Sequence, residues 1–343
     1  LYPARDFRFH SAESVSRELE QKRIGALSSL LNNECEVLVF SAEAAVQRTV
    51  PPEELKKRSL HIKAGSQIGP KEILYALSGA GYTQSDMVEG PGQFSARGGL
   101  LDFFPPDAQN PVRIEFWGDE IDSVSSFEVQ TQRRTDAVEC IRITPSTEVL
   151  FDSNADLGKK IDALASSLRG KYAAKAKENL QKDADLLHAD IRLSCADKYL
   201  PLAYEKSATV LDYLDGAMLF VCDSFNVKEK ANAASELLLQ EIKELFEDGV
   251  LCKGLDDYCI TFKDMVRVFE KSGAIYFDNF TRGSFDTPVK DLLTFNCSQG
   301  SGWDGSYRLL TEDIDPLLKR DYTVIVFAGT EKAAEGSAAF ICC

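Results

Sequence analysis

The sequence predicts an α/β chain in three parts: two α/β parts flanking a small, mostly antiparallel α+β domain. Three observations predict it. Near the start, a helical pattern is followed by a short apolar run, the order expected of an α/β layer. Between residues 59 and 147, short strands follow one another closely with glycine turns between them. From residue 148 on, helical stretches alternate with short apolar runs of the length of buried parallel strands. The 343 residues suffice for two or three domains.

In the first part, residues 1–58, Val15, Leu19, Leu27, Leu30 and Leu31 lie near helical spacing, which predicts an amphipathic helix over 11–31. Val37, Leu38, Val39 and Phe40 read as a short buried strand, and Ser41 is placed to cap the next turn. Pro51, Pro52 and the charged run 53–58 mark a boundary. The second part, 59–147, opens with a strand at 59–64 and a helix at 70–78 with Pro70 at its first position. Segments 94–97 and 100–104 flank Gly98-Gly99, and 112–117 and 120–127 flank Gly118-Asp119, so two hairpins are expected. A last strand, 140–143, precedes Pro145. In the third part, 148–343, a helix is expected over 157–192. Strands are expected at 217–222, 274–277 and 323–327. A long helix over 226–248 should bury Ala231, Ala234, Leu237, Leu238, Ile242 and Leu245 along one face. Gly283, Gly300, Gly302 and Gly305 fall in loops, and 330–343 reads as a helix cut short. The chain opens on Leu1 rather than Met, and both ends are expected to be cuts through a longer protein.

Composition removes several function classes. An apolar fraction of 44% excludes wholesale disorder. A net charge of -15 argues against a dedicated nucleic-acid binder, and residues 59–147 hold 12 acidic against 7 basic side chains. No apolar run approaches the roughly 20 residues that cross a bilayer, and no signal peptide opens the chain. Nine cysteines, an odd number without a C-x-x-C pair, read as buried free thiols of a reducing cytoplasm rather than zinc ligands. The terminal Cys342-Cys343 is no prenylation box, because position 340 is Phe340.

Nor does a catalytic motif appear. A P-loop needs G-x-x-x-x-G-K-[ST], so that backbone N–H groups, a lysine and a hydroxyl converge on phosphate and metal. Gly158-Lys159 and Gly170-Lys171 lack both the upstream glycine and the hydroxyl residue. Gly79-Ala80-Gly81 lacks the third glycine of a dinucleotide fingerprint. The apolar run 219–222 ends in Asp223, where a nucleotide-hydrolysing fold would place a metal ligand, but the next residue is Ser224 rather than a catalytic glutamate. No catalytic residue, metal site or cofactor is expected in this chain.

The most informative segment is 113–117. Along a strand, alternate residues share a face, so Val112, Ile114 and Phe116 point to a core while Arg113, Glu115 and Trp117 point away from it. In the neighbouring hairpin the same alternation puts Arg97 opposite Phe94 and Ala96, and near Arg113 if these strands pair. An exposed tryptophan with arginines is the composition of a protein-binding hot spot. The pattern alone fits somewhat better a tryptophan covered by the chain's own helix with solvated arginines beside it.

Here the residues carry a resemblance. The run Gly92-Gln93-Phe94-Ser95-Ala96-Arg97-Gly98-Gly99-Leu100-Leu101-Asp102-Phe103-Phe104-Pro105-Pro106 resembles a hairpin of the bacterial transcription-repair coupling factors (Mfd). So does the run from Pro111-Val112-Arg113 through Trp117-Gly118-Asp119 to Ser123, followed by Thr131-Gln132-Arg133-Arg134. The excision-repair protein UvrB has a related domain. Three further stretches side with the coupling factors: Pro3-Ala4-Arg5-Asp6-Phe7 with Ser16-Arg17-Glu18, Asp197-Lys198-Tyr199-Leu200-Pro201, and Thr281-Arg282-Gly283-Ser284-Phe285-Asp286-Thr287. The resemblance covers essentially the whole chain and implies a UvrB-like multidomain fragment with degenerate helicase-like α/β parts. Residues 1–58 would be the latter part of domain 1a, 59–147 domain 2, and 148–343 domain 1b.

It further implies that domain 2 recruits UvrA, with Arg97, Arg113 and Trp117 at the contact positions and Arg133 and Arg134 as weaker candidates. Polymerase and DNA contacts, and the ATP and magnesium of the motor, would belong to parts of the family beyond this segment. The implied role is a non-catalytic module that brings UvrA to lesions at stalled RNA polymerase in transcription-coupled excision repair. The alternative is a UvrB-like ATP-dependent helicase, which would require a P-loop. Direct DNA binding by the arginine face is disfavoured by the acidic balance of 59–147.

Overall fold

The computed structural model describes residues 1–10, 16–194, 196–279, 285–295, 306–327, 330 and 332. The chain divides after Pro288 into two units. In the first, α1 (Glu18–Leu31) buries Glu20, Arg23, Ile24, Leu27 and Ser28. α2 (Ala42–Val46) follows, capped as expected by Ser41, whose Oγ accepts from the Ala44 N–H. α3 (Pro52–Lys57) starts on a proline, whose missing N–H costs nothing in a first turn.

The chain then leaves this body along β1 (Leu60–Lys63). α4 (Pro70–Gly79) comes next. Six strands follow: β2 (Thr83–Gln84), β3 (Gln93–Arg97), β4 (Leu100–Phe103), β5 (Val112–Trp117), β6 (Glu120–Phe127) and β7 (Arg134–Ala137). They form one sheet in chain order, antiparallel except where β2 meets β3. The chain returns along β8 (Cys140–Ile143), antiparallel to β1 with Leu60 opposite Ile143. The hairpin turns hold Gly98 at φ +58° and Gly118 at φ +65°, a region that side-chain-bearing residues enter at a cost. One face of the sheet packs Phe94, Leu101, Phe103, Val112, Ile114, Ile121 and Val124 against Ile62, Ile73, Leu77, Tyr82 and Ile143. The alternation of strand side chains leaves Ser95, Arg97, Leu100, Asp102, Arg113 and Glu115 on the other.

The remainder of the unit holds α5 (Asn154–Ser167), α6 (Ala173–His188), α7 (Leu200–Ala203), β9 (Leu219–Cys222), α8 (Ser224–Glu247), α9 (Phe262–Ser272) and β10 (Ala274–Phe277). β9 and β10 pair in parallel. Residues from before and after the small domain share one core: Tyr2, Phe7, Ile24 and Val46 belong to it together with Leu157, Tyr199, Ile242 and Tyr258. A buried ionic knot sits where the chain re-enters this body. Glu148 receives Arg5 Nε at 2.7 Å on one oxygen, and Arg23 Nε at 2.6 Å and Thr49 Oγ1 at 2.9 Å on the other. Its own N–H donates to Glu20 Oε1 at 2.8 Å. The return connection of the small domain is therefore anchored in the body by a buried charge cluster at Glu148. In the second unit, α10 (Tyr307–Leu318) carries Pro316 within it.

Several expectations change. The segment 37–40 is not a buried strand: Val37 and Val39 are exposed, and only Phe40 bridges, to Tyr2. Among the described residues no further strand lies beside it, so the run has no ladder to complete. The helix predicted over 157–192 is two helices, because Leu168 leaves helical geometry and Gly170 adopts φ +112°. The long helix begins at Ser224, and it buries Ala231, Ser235, Ile242 and Leu245 while Leu237 is exposed. Residues 323–327 form no strand, and Ile325 and Phe327 are exposed. The short strands β2 and β7 were missed, having no apolar alternation. Of the thiols, Cys252 is buried and Cys35 and Cys259 are half-buried, but Cys140 and Cys222 are exposed. Cys222 follows the alternation of a strand with one open face. Residues 11–15, 281–284, Gly300, Gly302, Gly305, Cys195, Cys297, Cys342 and Cys343, and the predicted terminal helix apart from its described positions 330 and 332, lie outside the described residues. Among the described residues, no helix is long and apolar enough to cross a membrane.

Candidate functional site

The outward face of the small domain's sheet brings the predicted residues together, but not in the predicted way. β3 and β5 do not pair with each other; both pair with β4. The register sets Ser95 opposite Asp102 and Asp102 opposite Arg113, which puts a carboxylate between the two arginine-bearing strands. Asp102 is only 3% exposed. Arg113 donates to it from both ends of its fork, Nε to Oδ1 at 2.7 Å and Nη2 to Oδ2 at 2.8 Å. Arg97 Nη2 stands 3.8 Å from Oδ2.

Arg113 is thus less free than the strand pattern suggested. Its side chain is 15% exposed and lies over the Phe127 ring, with Cζ 4.8 Å from the centroid. A third N–H, on Nη1, reaches the Gln132 carbonyl at 3.3 Å. Hydrogen bonding to Asp102 raises its pKa further above the ordinary arginine value, against a smaller opposing effect of burial. Arg97, by contrast, is 56% exposed. Its position at the end of β3, beside the turn at Gly98, leaves the guanidinium at the rim.

Trp117 is 82% exposed. It ends β5 opposite Glu120, one residue before the Gly118 turn. The sheet is irregular here: Glu115 faces Ser123 but Phe116 faces Ile121, so Asp122 is an extra residue on β6. The alternation of β5 itself is intact, and Phe116 packs against the core while Trp117 leaves it. The reading in which a helix of this chain covers the tryptophan does not hold.

Arg133 and Arg134 differ from each other. Arg134 makes an ion pair with Glu115, whose other oxygen accepts from Ser123 Oγ at 2.9 Å. Arg133 is exposed on a tight turn that Gln132 N–H closes onto the Glu128 carbonyl at 2.8 Å. That turn is the one held by Arg113. The cluster gathers four arginines around Asp102 and Glu115, with the Glu128 carboxylate in the turn that carries Arg133. Sequence reasoning missed Asp102 and the partnering role of Glu115. The signal was present, a lone carboxylate at alternate spacing from Leu100 on a strand, but its partner is named only by the register.

Asp223 and Asp278, at the ends of β9 and β10, are taken up locally. Asp223, at φ +59°, caps α8 and accepts Asn226 Nδ2 at 2.6 Å. Asp278 receives the Ser224 N–H at 2.7 Å and Oγ at 2.9 Å. Among the described residues no group of acidic, histidine and cysteine side chains is arranged to hold a metal.

Comparison with known proteins places this geometry. Residues 60–149 match the model of the UvrB interaction domain, the span from β1 to just past β8. The chain therefore carries a UvrB-like interaction domain on an α/β body. Over 97% of its length it is 33% identical to the transcription-repair-coupling factor of Bacillus subtilis (strain 168). It is 25% identical to that of Staphylococcus epidermidis (strain ATCC 12228 / FDA PCI 1200) and 23% identical to that of Staphylococcus aureus (strain MRSA252), again over 97%. Over nearly its whole length the chain is thus similar to transcription-repair-coupling factors, in agreement with the motifs that resemble them. It spans 29% of the length of these relatives.

Proposed function

We propose that the chain is a non-catalytic recruitment module whose small domain binds UvrA through the face of Arg97, Arg113 and Trp117, with Arg133 and Arg134 at its edge. One observation carries the reading: within a matched UvrB interaction domain, a tryptophan 82% exposed shares a sheet face with a cluster of arginines of which Arg113 is fixed by two hydrogen bonds to Asp102. A large ring mostly exposed to water supplies desolvation energy when covered, and arginine forks supply charge-assisted bonds to carboxylates. In this reading residues 59–147 act as domain 2, carried by the parts at 1–58 and 148–343. RNA polymerase, DNA, ATP and magnesium belong to regions beyond this segment, and the setting is the cytoplasm. The absence of catalysis is supported by Ser224 after Asp223 and by the capping duty of both strand-end aspartates.

The test is a titration of the chain with purified UvrA. Trp117→Ala should weaken binding by about 1–3 kcal/mol, roughly five- to 150-fold, and leave the unfolding transition in place. Equal affinity of the variant and the parent chain would refute the assignment. ATP turnover by the chain above background, with or without DNA, would favour the helicase reading instead.

A further inference from the structure

Arginine is a good ligand for carboxylates only if its fork is held in place; a free guanidinium loses rotamer entropy on binding. On this face the holding group is visible. Asp102 lies on the middle strand of β3, β4 and β5, 3% exposed, and has no backbone donor in its side-chain contacts: its two oxygens meet Arg113 at 2.7 and 2.8 Å and Arg97 at 3.8 Å. Arg113, so fixed, lies over the Phe127 ring and ties down the Gln132 carbonyl, in the turn that leads into Arg133 and Arg134. Two N–H bonds of Arg113 are then left without a partner of their own on Nη1 and Nη2.

We propose that Asp102 is the positioning residue of the binding face. Its buried carboxylate orients the Arg113 fork, keeps Arg97 alongside, and through Arg113 sets the turn of Arg133, so that a carboxylate-bearing partner surface meets a preset donor array. The proposal rests on the reading that this face binds UvrA, and it adds a residue that itself touches no partner. It also assigns the specificity: with Asp102 and Glu115 already paired to Arg113 and Arg134, the less committed guanidinium groups are Arg97 and Arg133, and the complementary surface is acidic where it meets them.

Two readouts separate this inference from its premise. In the free chain, the Arg113 Nε–H resonance should be protected from solvent exchange and displaced from the other arginines; Asp102→Asn should abolish both features while the amide spectrum of the sheet core is kept. In the UvrA titration, Asp102→Asn should weaken binding about tenfold or more, and in an Arg113→Ala background it should have almost no further effect, the coupling expected of residues that act as one unit. Arg113→Lys, which keeps the charge beside Asp102 but not the fork, should retain the fold and still lose about fivefold. A tenfold loss that persists in the Arg113→Ala background, an unaltered Arg113 resonance in Asp102→Asn, or full affinity of Arg113→Lys would each overturn the inference. If the parent chain does not bind UvrA, the proposed function falls, and the Arg113 resonance alone decides whether Asp102 positions the fork.

Discussion

Arg113→Ala removes more than a contact with a partner, because it leaves Asp102 buried without its main counter-ion. Breaking a buried ion pair by deleting one member costs about 3–5 kcal/mol. Arg113 is 15% exposed rather than fully enclosed, and Arg97, already 3.8 Å from Oδ2, can close on the orphaned carboxylate; a hydrogen bond to a charged group returns about 1.5–3 kcal/mol. Loss of the guanidinium over Phe127, 4.8 Å from the ring centroid, subtracts about 0.5–1 kcal/mol more. The net expectation is a loss of about 2–3 kcal/mol, combining the broken pair with the partial recovery by Arg97. Urea unfolding followed by tryptophan fluorescence and far-UV circular dichroism reads it directly. Arg97→Ala, exposed and at the rim, serves as the control and should change stability by no more than about 0.5 kcal/mol. If Arg113→Ala were as stable as the parent, or no worse than Arg97→Ala, the claim that Asp102 depends on Arg113 would be wrong. The consequence for binding work is practical: a loss of UvrA affinity in Arg113→Ala mixes folding with contact, whereas Trp117→Ala does not.

Glu148→Gln should destabilise the main body by about 3–5 kcal/mol, since it leaves Arg23 buried against a neutral amide and Arg5 with Asp197, 2.8 Å away, as its remaining ion-pair partner. Burial pushes the Glu148 pKa up, but Arg23 and Arg5 outweigh it and hold the carboxyl below the ordinary glutamate value. A depressed pKa contributes stability that is present above the unfolded-state pKa and is lost as pH falls through the folded one. The variant should therefore show a shallower loss of stability on acidification below the ordinary glutamate range, and an unchanged acid slope would contradict the knot. Thiol labelling at neutral pH should modify Cys140 and Cys222, both exposed, before Cys252, whose pKa burial pushes up to about 11. Peptide mapping of a maleimide time course gives the order, and early modification of Cys252 would contradict its place in the core.

Much of the fold was legible because one-dimensional signals report local geometry. The two hairpins follow from glycines that turn at positive φ, and α4 from a proline at its first position. The inward set Val112, Ile114 and Phe116 follows from alternation, and Trp117 faces outward as that alternation requires. The misreadings have the same origin. Apolar runs at 37–40 and 323–327 have strand composition, but a strand exists only where a neighbour completes its hydrogen bonds. Leu237 has helical spacing with the buried residues of α8, yet it lies off the stripe that the core covers. The charge count likewise says little about a local face: an acidic domain still collects four arginines around two carboxylates.

The sequence by itself determined the class of the chain, the hairpins of its small domain, and which side of β5 carries Arg113 and Trp117. These depend on the period-two geometry of a strand and on motifs read within a few residues of one another. Only the tertiary structure decided what the arginines do there. Whether Asp102 meets Arg113, whether Glu115 meets Arg134, and whether Glu148 meets Arg5 and Arg23 depend on register and on contacts between residues up to 143 positions apart. A charged side chain's role is set by the charge it is buried against, and that partner is chosen by the fold rather than by its neighbours in the chain.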